Sequence, residues 1–172
     1  TPRTIKMKYH LGLGSNLGKR EKNLSAALSE MEKAGIRIIR LSSIYETEPS
    51  GFRHQPDFLN MAIFIESVFK PEFLLKKLKE IEYHLGRKSS PRNHPRCIDL
   101  DILLAENQIM KGADLTIPHP QLHKRKFVLV PLTEISPHFI HPVFQISIQQ
   151  LLQNCSDTGN IKKIRKLNFS VS

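Results

Sequence analysis

Asp99 and Asp101 stand two residues apart in the run Pro95-Arg96-Cys97-Ile98-Asp99-Leu100-Asp101-Ile102-Leu103-Leu104. On a strand, side chains alternate, so both acids share one face while Ile98, Leu100 and Ile102 share the other. Charge on a half-buried face is costly unless it is paired or coordinated. A hard cation held by both carboxylates meets that need; so does an edge strand whose acidic face stays in water. The neighbourhood favours the cation. Arg87, Lys88, Arg92 and Arg96 precede the pair, and Lys124, Arg125 and Lys126 follow it. Carboxylates for Mg²⁺ amid arginines for phosphate is a phosphoryl-transfer composition. Two strand residues span roughly 6–7 Å, so both acids reach one ion, or bridge two ions about 4 Å apart.

Guanidinium groups hold phosphate oxygens through paired, charge-assisted bonds. Arg96 abuts the acid strand and Arg125 follows a basic cluster, so these two lead the phosphate-binding candidates, with Lys88 last. His119 and His123 flank Pro120. Their spacing would suit zinc on a helix, but proline argues against helix and no third ligand is evident. His119 is read as a hydrogen-bonding partner of phosphate or leaving group, and His123 as an idle surface residue. Gly12 and Gly14 make no dinucleotide fingerprint, because Leu17 stands where the third glycine belongs. No Gly-Lys-Ser/Thr phosphate loop exists either. The two glycines are read as shaping a strand-to-helix turn, and phosphate binding falls to side chains and metal. Thr47, Phe58, Asn60 and Phe127 suggest a small-molecule pocket: an amide pairs with a heterocycle edge while phenyl rings stack on its faces. From pattern alone, core packing is the better explanation of both phenylalanines.

These residues must be carried by elements. Lys8 to Leu13 reads as a strand ending at Gly14, with Ser15 and Asn16 as helix N-cap types. Leu24, Ala27, Leu28 and Met31 recur at helical spacing, closed by Gly35. Ile36 to Tyr45 reads as a second strand, Thr47 to Pro56 as a loop and Phe58 to Phe69 as a third strand. Pro71 and Glu72 open a second helix with a Leu74, Leu78, Ile81, Leu85 stripe ended by Gly86. A basic loop, Lys88 to Pro95, leads into the acid strand, Cys97 to Leu104. The order is β-α-β-β-α-β: an α+β, ferredoxin-like antiparallel sheet with helices packed on one face, and the first and third strands side by side. Beyond it, Glu106-Asn107 predicts a hairpin turn, Ile109 to Ile117 extra strands, Phe127 to Ile135 a short helix, and Gln149 to Asn154 another capped by Ser147.

The chain has 172 residues, 40% of them hydrophobic, which suits one globular domain over 1–172. No apolar run approaches a membrane span, and the basic start has no apolar signal core. Two cysteines, Cys97 and Cys155, make no disulfide framework and read as free thiols in a reducing cytoplasm. The net charge of +10 favours anionic partners. The basic tail, 156–172, is read as a solvated end.

Taken in order, the motifs resemble the hydroxymethyl-dihydropterin pyrophosphokinase family of folate biosynthesis. The likeness runs from about Tyr9 to Leu152. It includes Gly14-Ser15-Asn16-Leu17, Tyr45-Glu46-Thr47-Glu48-Pro49-Ser50-Gly51 and Gln55-Pro56-Asp57-Phe58-Leu59-Asn60. It continues through Ile81-Glu82, Gly86-Arg87, the acid strand, Ile117-Pro118-His119-Pro120 and Arg125-Lys126-Phe127-Val128-Leu129. The resemblance implies transfer of the terminal diphosphate of ATP to 6-hydroxymethyl-7,8-dihydropterin, releasing AMP. It implies that Asp99 and Asp101 hold two Mg²⁺ ions on the triphosphate. Arg87, Arg92, Arg96, His119 and Arg125 would contact phosphates, the first three serving catalysis. Glu82, Ile102 and Thr116 would lie on the nucleotide side, and Thr47, Phe58, Asn60 and Phe127 would enclose the pterin. The implied enzyme is a cytoplasmic monomer with no nucleic-acid or membrane partner. Two positions depart from the family: His94 replaces a usual glycine and Cys97 a usual threonine.

Two other classes share features with this chain. An RNA-binding module has the same element order and charge, but it needs stacking aromatics on its sheet where this strand carries acids. A nucleotidyl transferase also uses paired acids, and it would release diphosphate instead of AMP.

Overall fold

The computed structural model describes residues 4–49, 54–86 and 97–171. Its main sheet holds six strands. Strand β1 (Met7–Ser15) pairs antiparallel with β4 (Phe58–Ser67) on one side and β5 (Asp99–Ala105) on the other. The first and third predicted strands are therefore neighbours at the centre. Beyond β4 come β2 (Arg37–Leu41) and β3 (Ser43–Thr47), and β3 in turn pairs with β8 (Ile161–Lys166).

The predicted second strand is one element in sequence and two in the structure. Ser42 breaks it. Its hydroxyl accepts the Ala62 amide at 2.9 Å, while its own amide donates to the Ala62 carbonyl at 2.9 Å. A side chain thus stands in for a ladder carbonyl, and pairing resumes in a shifted register.

Helices α1 (Arg20–Lys33) and α2 (Pro71–His84) bury the predicted stripes: Leu24, Ala27, Leu28 and Met31 on one, Leu74, Leu78 and Ile81 on the other. They pack on the sheet face carrying Leu11, Leu13, Ile63 and Leu100. Each fully buried leucine contributes about 1.5–3 kcal/mol. Gly35 and Gly86 end these helices at φ +83° and +100°, a left-handed turn that side chains with a Cβ rarely adopt. Ser15 and Asn16 do not cap α1, which begins later, after Lys19. Asn16 instead donates to the Gln55 Oε1 at 2.7 Å and to the Pro56 carbonyl at 3.1 Å, tying the end of β1 to the approach of β4.

The opposite face is covered as well, contrary to the one-faced expectation. Helices α3 (Lys126–Ile135) and α4 (Ile148–Gln153) pack Leu129, Leu132, Ile148 and Leu151 against Ala62, Leu103 and Leu104. Ser147 caps α4 in a reciprocal box with Gln150, as predicted. Glu106 and Asn107 form a turn, but β6 (Met110–Lys111) pairs with β7 (Thr116–Ile117) and not back onto β5, so the turn closes no hairpin. The basic tail is not a solvated end. Residues 161–166 form the edge strand β8, whose lysines and arginine stay exposed while Ile164 and Leu167 reach the core. Exposed lysines suit an edge, where they discourage pairing with another chain. Among the described residues, no helix is long and apolar enough to cross a membrane.

Candidate active site

Antiparallel register sets the site. Gly14 lies between Asp99 on β5 and Asn60 on β4, and Gly12 lies between Asp101 and Ala62. Cross-strand partners point to the same face. Both acids, both glycines and Asn60 therefore share the face that α3 only partly covers. Both carboxylates are half-buried, while Leu100 and Ile102 between and beyond them are buried on the other face. This alternation is the one read from the sequence.

The glycines do not shape a strand-to-helix turn. They are mid-strand and form the floor of the site. A Cβ on Gly14 would lie 2.8 Å from Asn60 Oδ1 and 3.4 Å from the Phe58 ring, and one on Gly12 would meet Leu103 at 3.4 Å. Bare backbone there makes room for a cavity above β1. That cavity is lined by Thr47, Phe58, Asn60, Asp99, Asp101 and Phe127, among others. Asn60 Nδ2 donates to Thr47 Oγ1 at 2.7 Å, which orients the amide of a residue only 8% exposed. Phe58 and Phe127 are half-buried and line the chamber instead of filling the core. Glu48, Met61 and Val128 also line it and were not foreseen.

A second, more polar and roomier cavity opens on the other side of the acids. It is lined by Glu82, Asp99, Asp101, Thr116, His119 and Arg125, with Ile102 contributing from β5 and Lys79 from α2. His119 is anchored by its amide to the Leu103 carbonyl at 2.9 Å, and its Nδ1 accepts the Gln121 amide at 3.1 Å. With Nδ1 engaged as an acceptor, a neutral ring carries its proton on Nε2. Glu82 Oε2 accepts the Leu100 amide at 2.7 Å, so it holds the acid strand from behind. Asp99, Asp101 and Arg125 line both cavities. They form the partition between an aromatic chamber and a polar one. Arg125 is also seated 5.6 Å from the centre of the Phe127 ring.

His123 stands apart from both cavities. It is not an exposed group: its ring packs 4.6 Å from that of Phe144, and burial followed by the Lys124 charge lowers its pKa. Arg87, Arg92, Arg96, Lys88 and His94 lie outside the described residues. Cys97 and Cys155 are free thiols, both half-buried.

The donor set suits a hard cation. Two carboxylates on one strand face, beside a polar cavity with room for further oxygen ligands, match the preference of Mg²⁺ for one or two carboxylates completed by phosphate and water. Among the described residues no cluster of three or more histidine, cysteine or acidic side chains offers a self-sufficient metal cage.

Fold and site together define a two-chamber α+β domain with an acidic partition. The family model for 7,8-dihydro-6-hydroxymethylpterin-pyrophosphokinase matches residues 10–137, and the chain belongs to that family, the pyrophosphokinases of folate synthesis. It is 39% identical over 154 residues to the 2-amino-4-hydroxy-6-hydroxymethyldihydropteridine pyrophosphokinase of Haemophilus influenzae, covering 89% of this chain and 96% of that one. It is 41% identical over 155 residues to the folic acid synthesis protein FOL1 of Dictyostelium discoideum, covering 90% of this chain but only 23% of that protein. The chain thus spans under a quarter of the length of such fol1 relatives. A crystal structure of Plasmodium falciparum HPPK-DHPS shares the fold at TM-score 0.71 and 17% identity, over 87% of this chain and 45% of that one.

Proposed function

We propose that this domain transfers the terminal diphosphate of ATP to the hydroxymethyl group of 6-hydroxymethyl-7,8-dihydropterin and releases AMP. The observation that carries the reading is the partition: Asp99, Asp101 and Arg125 border an aromatic chamber and a polar cavity at once. A reaction that joins a flat heterocycle to a polyphosphate needs such a boundary. The hydroxymethyl oxygen attacks the β-phosphorus, the bond to the α–β bridging oxygen breaks, AMP departs with that oxygen, and the hydroxyl proton is lost.

Thr47 and Asn60 would pair with the ring edge, and Phe58 and Phe127 would stack on its faces. His119, Arg125, Thr116, Glu82 and Ile102 would form the nucleotide side, with Arg87, Arg92 and Arg96 as further phosphate and catalytic groups. Asp99 and Asp101 would hold two Mg²⁺ ions, which when bound neutralise and align the triphosphate. The protein's part is positioning: it fixes nucleophile and phosphorus across the partition and presents charge where charge develops.

The same reading takes the whole chain as one domain with a ferredoxin-like core. The strand order β5-β1-β4-β3, fully antiparallel, supports it, as does the tail strand added to the same sheet. A monomer suffices because one chain lines both cavities, and the acids on β5 disfavour a nucleic-acid backbone. A cytoplasmic setting rests on the two unpaired cysteines.

Incubation of the chain with ATP, Mg²⁺ and the reduced hydroxymethyl pterin tests the reading. AMP and the pterin diphosphate should appear together, and neither should form without the pterin or with EDTA. Release of inorganic diphosphate in place of AMP would overturn it.

A further inference from the structure

The C-terminal segment lies beyond the residues that the family model matches, yet it touches both walls of the aromatic chamber. One wall is the first turn of α3, which carries Phe127. That helix has no side-chain cap of its own and no acid in its first turn. Asp157 supplies both from a distance: its Oδ2 accepts the Lys126 amide at 3.0 Å, and its Oδ1 accepts the Gly159 amide at 2.8 Å. A carboxylate at a helix N-terminus satisfies an orphan donor and opposes the positive end of the helix dipole. The other wall is the end of β3, which carries Thr47. Asn160 Nδ2 donates to Glu48 Oε1 at 2.9 Å, and Thr47 is paired with Ile161 on β8. The segment then follows β3 back to its start, where Lys166 Nζ lies 3.3 Å from Glu134 Oε2 near the far end of α3.

Behind the chamber sits a third cavity of about 120 Å³, lined by Thr47, Glu48, Lys126, Phe127, Asp157 and Asn160 among others. Thr47, Glu48 and Phe127 line both this cavity and the chamber. They are a thin partition with space at their back. Packing from that side is incomplete, and the strap's contacts bridge the gap.

We propose that the segment from Asp157 to Lys166 is a positioning element of the pterin chamber. Asp157 and Asn160 hold the Phe127 and Thr47 walls at the width that grips the ring. The proposal rests on the pterin reading of that chamber. Asp157 and Asn160 do not touch the substrate. They set where the groups that touch it stand.

The test uses the full chain and two titrations at a temperature well below its melting point: 6-hydroxymethylpterin as the chamber probe, and a non-hydrolysable ATP analogue with Mg²⁺ as the control. Asp157→Ala removes the remote cap and should weaken pterin binding about five-fold while leaving analogue binding within two-fold. Asp157→Asn keeps one of the two acceptor oxygens and should recover part of the affinity. Asn160→Ala, at an exposed hydrogen bond, should weaken pterin binding in the same direction without unfolding risk. A strap that only stabilises the fold would lower the melting temperature and shift both ligands alike, and that result overturns the proposal. So does unchanged pterin affinity in the Asp157→Ala, Asn160→Ala double variant. Failure of the unaltered chain to bind the pterin overturns the chamber reading itself, and the strap's role with it.

Discussion

The buried carboxylate of Glu82 accepts the Leu100 amide at 2.7 Å, at the point where the chain passes between the two acids. The carboxylate belongs to the last turn of α2 and the amide to β5. Helix and acid strand are thus pinned together at the residue that sets the direction of Asp99 and Asp101. Glu82→Ala leaves a buried donor without its acceptor, which costs about 1–3 kcal/mol. Urea unfolding should show a loss of that size, with a larger fall in AMP formation than in pterin affinity. Glu82→Gln retains an acceptor oxygen and should restore most of the stability; no recovery would mean that the charge, not the bond, matters.

Asp101→Asn keeps the shape of the partition and removes one of its two negative charges. Turnover should drop about 100-fold or more, as for the loss of one preorganised electrostatic group. Pterin affinity should change far less, because the ring is held by Asn60, Thr47 and the two phenylalanines. The Mg²⁺ concentration for half-maximal rate should rise. A variant with normal turnover and an unaltered Mg²⁺ dependence would remove Asp101 from the metal site.

Gly14→Ala separates fold from function. Its new Cβ would fall 2.8 Å from Asn60 Oδ1, the tip of a side chain that can turn aside. Stability should therefore fall by only about 1 kcal/mol, the low end of overpacking costs. The displaced amide no longer meets the ring edge, so pterin affinity should fall about ten-fold, one lost hydrogen bond's worth. Calorimetric melting and pterin titration on one preparation check both; equal affinity would take the Asn60 amide out of pterin recognition.

Acid should destabilise the protein earlier than carboxylate chemistry alone would. His10 is 1% exposed, its Nε2 sits 2.8 Å from Ser136 Oγ, and burial followed by the Arg40 charge pushes its pKa down from 6.5 to about 3. Unfolded, the ring takes up a proton as pH falls through 6.5; folded, it stays neutral until about 3. Between these values the unfolded chain binds more protons, so stability present above pH 6.5 drains away as pH falls. The loss is on the order of a few kcal/mol. His141, lowered by burial and then by His123 to about 4, adds a smaller contribution of the same sign. Urea midpoints should decline steadily below pH 6.5, and His10→Gln should flatten that decline; an unchanged slope would rule out His10 as its source.

Glu134 moves in the opposite window. Burial disfavours its charge, but hydrogen bonds from Tyr45, from the Ser43 amide and hydroxyl, and from Lys166 outweigh that and lower its pKa. The contribution is present above the ordinary carboxylate range and is lost as pH falls through the lowered value. Glu134→Gln should therefore cost stability at pH 7 and progressively less as pH falls below the ordinary carboxylate range. Urea melts across that range measure the difference, and a cost independent of pH would refute it.

Much of this protein was legible from its residues alone. Asp99 and Asp101 share a face because alternation along a strand is a local rule, and the structure keeps it. The stripes of α1 and α2 and their glycine ends were legible for the same reason: 3.6-residue spacing and left-handed φ act within a few residues. The order of elements even placed β1 and β4 side by side. The family motifs carried the pairing of acids with Thr47, Asn60 and the aromatics. What the tertiary structure alone decided depends on neighbours far apart in the chain. Gly12 and Gly14 become a floor only because Asn60 and Leu103 arrive on the adjoining strands. Ser42 breaks a strand because the Ala62 backbone is there to be bonded. The basic tail becomes β8 because β3 presents an open edge, and Asp157 caps a helix that lies well before it in sequence. Local geometry is written in adjacent residues. Contacts across the sheet are settled only by register and packing, when the chain has closed on itself.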